Sequence, residues 1–243
     1  MRDVKVIKAW QAAASAILVG ALGLSLVSCS GKDGDGGDGS DQKLVGAGEI
    51  CEGVFTAPAA RQALTKVTEA DRFVQNSVAN GLDKTVSNIV FDYESSGPSK
   101  GRESSVCHVY ADGPSDLDDV SLAFALDDGE FLDSKDIAAR LTAYQLGRRA
   151  LAGNNYASQY FLCTSPKLGS TKDDPAVVRG VLRVRSEPSG DVRELSAANM
   201  TLLNSAAFAV AKKLGCTGDG GLTDAPVLKP VTPKPTALSS PLK

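Results

Sequence analysis

Apolar and polar residues alternate with a period of two along several stretches of this chain, and that alternation predicts strands. Residues 104–111 place Val106, His108 and Tyr110 on one side and Cys107, Val109 and Ala111 on the other. Residues 120–126 align Val120, Leu122, Phe124 and Leu126. With the Asp112-Gly113-Pro114 turn between them, the two stretches read as an antiparallel hairpin. Residues 156–164 form another strand. Residues 177–186 set Val178, Gly180, Leu182 and Val184 against Arg179, Arg183 and Arg185, the pattern of a sheet with one wet face. Residues 88–95 (NIVFDYES) read as a further strand, and residues 140–146 as one that ends at Gly147; a helix from an Asp136 cap through Ala150 is the alternative there.

A helical period marks the two ends of this region. Thr56 caps a helix with Pro58 in its first turn and an Ala60, Leu64, Val67 stripe. A second helix over 69–79 turns Phe73, Val74 and Val78 inward and stops at Asn80-Gly81. Ser196 opens a long helix to Leu214, with Leu203, Ala206, Ala207, Val210 and Leu214 as its buried stripe. Lys212 and Lys213 sit at the negative end of its dipole. Helix, strands, then helix predicts an α+β fold: an antiparallel sheet of about four to five strands, with the N- and C-terminal helices packed on one face.

The flanks have a different character. Arg2, Lys5 and Lys8 precede an apolar run over residues 12–27, and Leu26-Val27-Ser28-Cys29 follows. The run is about 16 residues, short of the roughly 20 that cross a bilayer, and reads as an export signal. Leu26-Val27-Ser28-Cys29 resembles a bacterial lipobox. That resemblance implies that diacylglycerol alkylates the Cys29 thiol and that cleavage leaves Cys29 first in the mature chain; an ordinary cleaved signal and a retained helix are the competing readings. Residues 30–43 (SGKDGDGGDGSDQK) contain no apolar side chain and read as a flexible tether with a reach of about 20 Å. Gly36 to Asp41 copy the start of a calcium-binding nonapeptide, but the copy is single and Lys43 occupies its apolar position, so no calcium site is expected. Residues 217–243 hold five of the 11 prolines and read as a disordered tail. The expected organisation is a signal over 1–28, a tether over 29–47, one globular domain over 48–216 and a tail over 217–243.

Charge and cysteine content narrow the functional classes. The chain carries a net −3; its first 28 residues hold three bases and one acid, so the remainder carries −5. Such a surface is poorly suited to nucleic acid, which needs clustered cations. The single tryptophan, Trp10, lies inside the signal, which speaks against an extensive aromatic sugar platform. Of five cysteines, lipidation takes Cys29 and leaves Cys51, Cys107, Cys163 and Cys216, an even four that suit two disulfides in an oxidising compartment. Three pairings are possible. Cys51–Cys216, clasping the domain ends, with Cys107–Cys163 is the expected one. No C-x-x-C occurs and His108 is the only histidine, so neither a metal site nor another cofactor is expected.

No H-E-x-x-H or P-loop is present, and Gly97-Pro98-Ser99-Lys100-Gly101, which has the letters of G-x-S-x-G, reads as a loop between two strands and not as the strand-to-helix turn a nucleophilic serine needs. Asp112, Asp116, Asp118, Asp119, Asp127, Asp128 and Glu130 gather at the hairpin ends, where turn chemistry accounts for them. Arg148, Arg149, Arg179, Arg183 and Arg185 outline a basic patch for an anionic wall polymer, or an ordinary solvated face. The segments Ile50-Cys51-Glu52-Gly53-Val54-Phe55 and Tyr160-Phe161-Leu162-Cys163, with the lipobox, resemble the small lipoproteins of high-GC Gram-positive bacteria. The resemblance implies an exported protein anchored to the outer face of the cell membrane, and it carries over no catalytic residue. The expected function is non-enzymatic binding of a protein or cell-wall partner; the alternatives are a solute-binding lipoprotein of a transporter and an envelope hydrolase.

Overall fold

A computed structural model describes residues 42–75, 81–113 and 118–231. The signal, Cys29, the calcium-like stretch, Val78, Asn80, Pro114 and Asp116 lie outside the described residues. The fold is α+β. A two-stranded sheet pairs β1 (Leu44–Val45) with β2 (Phe73–Val74). The main sheet is antiparallel and six-stranded, one strand more than the upper expectation, in the order β3-β4-β8-β7-β6-β5. Its strands are β3 (Ser104–Val109), β4 (Val120–Asp127), β5 (Thr142–Tyr144), β6 (Arg149–Ala152), β7 (Tyr156–Cys163) and β8 (Ala176–Val184). The expected β3–β4 hairpin is present, with a bulge between Ser105 and Cys107. Residues 140–152 form the short β5–β6 hairpin rather than a helix.

Among the described residues three α-helices complete the fold: α1 (Pro58–Thr68), α2 (Gly81–Ser96) and α3 (Val192–Leu214). The long helix α3 lies across β6, β7 and β8, α2 covers β3 and β4 and touches α3, and α1 packs along α3. The sheet face under the helices holds Phe124, Phe161, Leu122, Leu182 and Val178, all fully buried. Gly180 is obligatory in this layer: a Cβ there would stand 2.5 Å from the Phe124 ring and 3.1 Å from Leu203. Polar side chains of α3 anchor it to the sheet. Ser196 donates to the Ala152 carbonyl (3.0 Å), and Asn199 donates to the carbonyls of Gly153 and Asn154 (2.9 Å each). Ser196 is therefore not the cap. The helix begins one turn earlier, where Asp191 accepts from the N–H groups of Arg193 and Glu194.

Two expectations of secondary structure change. Phe73 and Val74 form a strand, because Glu69 adopts a left-handed conformation (φ 55°) that ends α1 and Phe73 then pairs with Val45. Residues 88–95 are helical, not extended: Thr85, Val86 and Ile89 recur at helical spacing on the buried side of α2. A carboxylate thirty residues upstream in the chain caps this helix, with the Leu82 N–H donating to Glu52 Oε2 at 2.7 Å. Gly81, expected to end a helix, starts this one at φ +72°, and a Cβ on it would meet Glu52 Oε1 at 2.7 Å.

The disulfides join Cys51 to Cys107 and Cys163 to Cys216, with Cα separations of 5.4 and 4.9 Å. The expected pairing is corrected by sheet topology. Cys107 lies on β3 and Cys163 on β7, three strands apart. At about 4.8 Å per strand that is roughly 14 Å, twice what a disulfide spans. The end of α3 instead lands beside the end of β7, where the Thr217 N–H donates to the Thr164 carbonyl and Ser165 Oγ to that of Leu214.

The domain also extends past both expected edges, from Leu44 to Val231. Beyond Cys216, residues 217–221 form a short 3-10 turn and residues 222–231 run as a strap that pairs with β5 at Lys229–Val231. The described part of the expected tail is thus held by backbone hydrogen bonds.

Candidate functional site

The sheet face away from the helices carries the charged chemistry. In β8 the outward residues are Val177, Arg179, Val181 and Arg183; across the ladder, β4 presents Ser121, Ala123, Ala125 and Asp127, and β7 presents Tyr156, Ser158 and Tyr160. Arg179 and Arg183 both reach Glu103 at the start of β3, two strands away. Arg179 Nη2 lies 3.1 Å from Glu103 Oε1, and Arg183 Nη1 lies 3.2 Å from Oε2. To get there their side chains cross β4, whose outward residues at that level are alanine and serine. The guanidiniums roof the sheet, and Ala123, Ala125, Val181 and Ser158 are buried beneath this layer.

Arg179 is the hub. Its Nε lies 3.5 Å from Asp127 Oδ2, and the Asp127 side chain is 1% exposed. Asp127 also accepts from the Gly129 N–H at 2.9 Å. Tyr160 faces Arg179 from β7. Burial raises the Tyr160 phenol above its ordinary pKa of 10.0, the Asp127 carboxylate raises it further, and Arg179 opposes them.

At the opposite end of this face His108 Nδ1 lies 2.8 Å from Asp118 Oδ2, and Asp118 also receives Arg185 at 2.5 Å. Arg148 pairs with Asp133 at 2.6 Å, and Arg149 donates to the carbonyls of Ser134 and Asp136. All five arginines of the anticipated basic patch therefore have acidic or carbonyl partners. Of the hairpin carboxylates, Asp119 accepts from the Ala111 N–H and Asp128 from the Glu130 N–H, whereas Asp118 and Asp127 pair with arginines. Among the described residues no cluster of three or more His, Cys, Asp and Glu is arranged to hold a metal ion, and no helix is long and apolar enough to cross a membrane.

Beside Glu103 the surface opens into a shallow depression of about 290 Å³. The α2 residues Asn88, Phe91 and Asp92 line one wall, at the spacing of one helix face; Arg102, Glu103 and Ser104 line the other. Asn88 Nδ2 donates to Ser104 Oγ at 2.9 Å, and Asp92 accepts from the Arg102 N–H at 3.2 Å. An adjoining depression of about 260 Å³ shares Phe91, Asp92 and Arg102 and adds Ser95, Ser99 and Lys100. Phe91 is 61% exposed, the most exposed phenylalanine described. The arrangement offers hydrogen-bonding groups, one aromatic face and an ion-pair rim, and its lining does not include His108.

No family model, curated protein or solved structure is similar to this chain. Sequence reading placed the arginines on the outward face but missed Glu103 as their common partner. The signal was present in the small residues at alternate positions of β4, opposite arginines at alternate positions of β8.

Proposed function

We propose that this protein is a lipoprotein, held by lipid on Cys29 at the outer face of the cell membrane, whose disulfide-stapled domain binds a protein or wall component without catalysing a reaction. The observation that carries this reading is the cysteine pairing. Four of five cysteines are closed in two disulfides, which suits an oxidising compartment, and the odd one is the cysteine that follows Leu26-Val27-Ser28. The paired depressions beside Phe91 and Arg102 supply the binding surface.

Two experiments test the halves separately. Cells fed a clickable fatty acid should label the wild-type chain and not Cys29→Ser, and that variant should leave the membrane fraction. An unlabelled wild type recovered in the cytosol would refute anchoring. A photo-crosslinking residue at position 91 should capture one partner in intact cells, and Arg102→Glu should abolish capture; capture unchanged by Arg102→Glu would remove the depression from the reading.

A further inference from the structure

The strap over residues 222–231 closes the outer edge of β5 with few bonds. The Gln145 N–H donates to the Lys229 carbonyl at 2.9 Å, the Val231 N–H donates to the Ala143 carbonyl at 2.8 Å, and Pro230 stands opposite Tyr144 in antiparallel register. Upstream, Leu222 is buried and Asn204 Nδ2 donates to the Thr223 carbonyl at 2.6 Å. Between these attachments Val227 is 75% exposed.

The segment that turns the strap back onto its own domain is strained. Gly218, Asp219, Gly220 and Gly221 follow one another with φ of 57°, 52°, 66° and 75°. Three are glycines, for which a left-handed backbone is cheap. Asp219 is not, and it holds that conformation inside the turn. Short hinges under strain favour exchange of the element they carry, because identical contacts form in an opened arrangement that relaxes the hinge. Opened, the five residues 217–221 span up to about 18 Å, enough to pass from one domain to a neighbour.

We propose that residues 222–231 exchange between two copies of this chain, the strap of each closing the β5 edge of the other. The occupant is fixed by complementarity already present: the β5 backbone accepts this segment in this register, and an uncovered β5 would present unpaired N–H and C=O groups. The exchange does not depend on the lipid at Cys29; anchoring two copies in one bilayer raises their effective concentration.

The test uses two differently tagged full chains, one carrying Val231→benzoylphenylalanine, unfolded together in urea, refolded and irradiated. Adducts within one chain at residues 142–145 report a docked strap. Adducts between the two tags, mapped by mass spectrometry to the same residues, are the expected result. Asp219→Gly in both chains should lower the ratio of between-chain to within-chain adducts by at least about fivefold, because it removes the relief gained on opening. Adducts confined to single chains, between-chain adducts mapping away from β5, or a ratio unchanged by Asp219→Gly would each overturn the proposal.

Discussion

The two faces of the main sheet are built from the same strands, yet they are closed by different physics. Under the helices Phe124, Phe161, Leu122 and Leu182 interlock with α3, and Gly180 admits the Phe124 ring. Outside, the covering layer is Arg179 and Arg183 drawn over alanines to Glu103, with Asp127 buried beside the hub. The first face gains from apolar area removed from water, which ionic screening does not weaken and which gives little directionality. The second gains little net free energy, because desolvated charges offset much of their own attraction. It does fix geometry, holding the rim of the Phe91 depression where Glu103 ends. Stability resides on one side of the sheet and a shaped polar surface on the other.

Four measurements break or sharpen that contrast. Phe124→Ala empties the inner layer and should lower the unfolding free energy by about 3–5 kcal/mol in urea titrations; a loss near that of an outer-face variant would erase the distinction. Asp127→Asn keeps the shape and the Gly129 contact but takes the buried charge from Arg179. It should cost about 2 kcal/mol in the same titration, less than a fully buried pair because Arg179 keeps Glu103 and is partly exposed. Glu103→Gln should cost no more than about 1 kcal/mol, and its effect should shrink at high salt in thermal melts, since this pair is partly solvated. Its larger consequence should be loss of capture at position 91, a separation of stability from binding that the inner face does not permit.

The smallest effect concerns pH. Tyr160 has a phenol pKa raised in the folded state, so above the ordinary value of 10.0 the unfolded chain releases its proton first. The contribution is intact below that pH and declines as pH rises beyond it. Phenolate absorbance should show a step above the ordinary tyrosine value, and Tyr160→Phe should remove that step. A titration that Tyr160→Phe leaves unchanged above pH 10.0 would contradict the buried environment of this phenol.

How much of this was legible in the chain depends on the range of the interactions. Period-two alternation marked β3, β4 and β8, and the helical stripe from Leu203 to Leu214 marked α3, because each pattern records which side of one element meets the core. Residues 88–95 misled: Ile89, Val90, Phe91 and Tyr93 carry strand propensity, yet the segment is a helix capped by Glu52 from far along the chain. Propensity yields there to packing against β3. The fate of residues 217–231 was likewise illegible, since prolines and glycines signal an unstructured tail unless a free strand edge awaits them.

The amino-acid sequence alone determined the fold class, the inward sides of the principal strands and the even set of four cysteines after Cys29. These follow from local periodicity and from counting. Tertiary structure alone decided that Cys51 meets Cys107 and Cys163 meets Cys216, that Glu103 gathers two arginines, and that the last described residues close β5. Each of those contacts joins residues many positions apart, and strand order, with its fixed spacing between neighbours, sets which of them come within bonding distance.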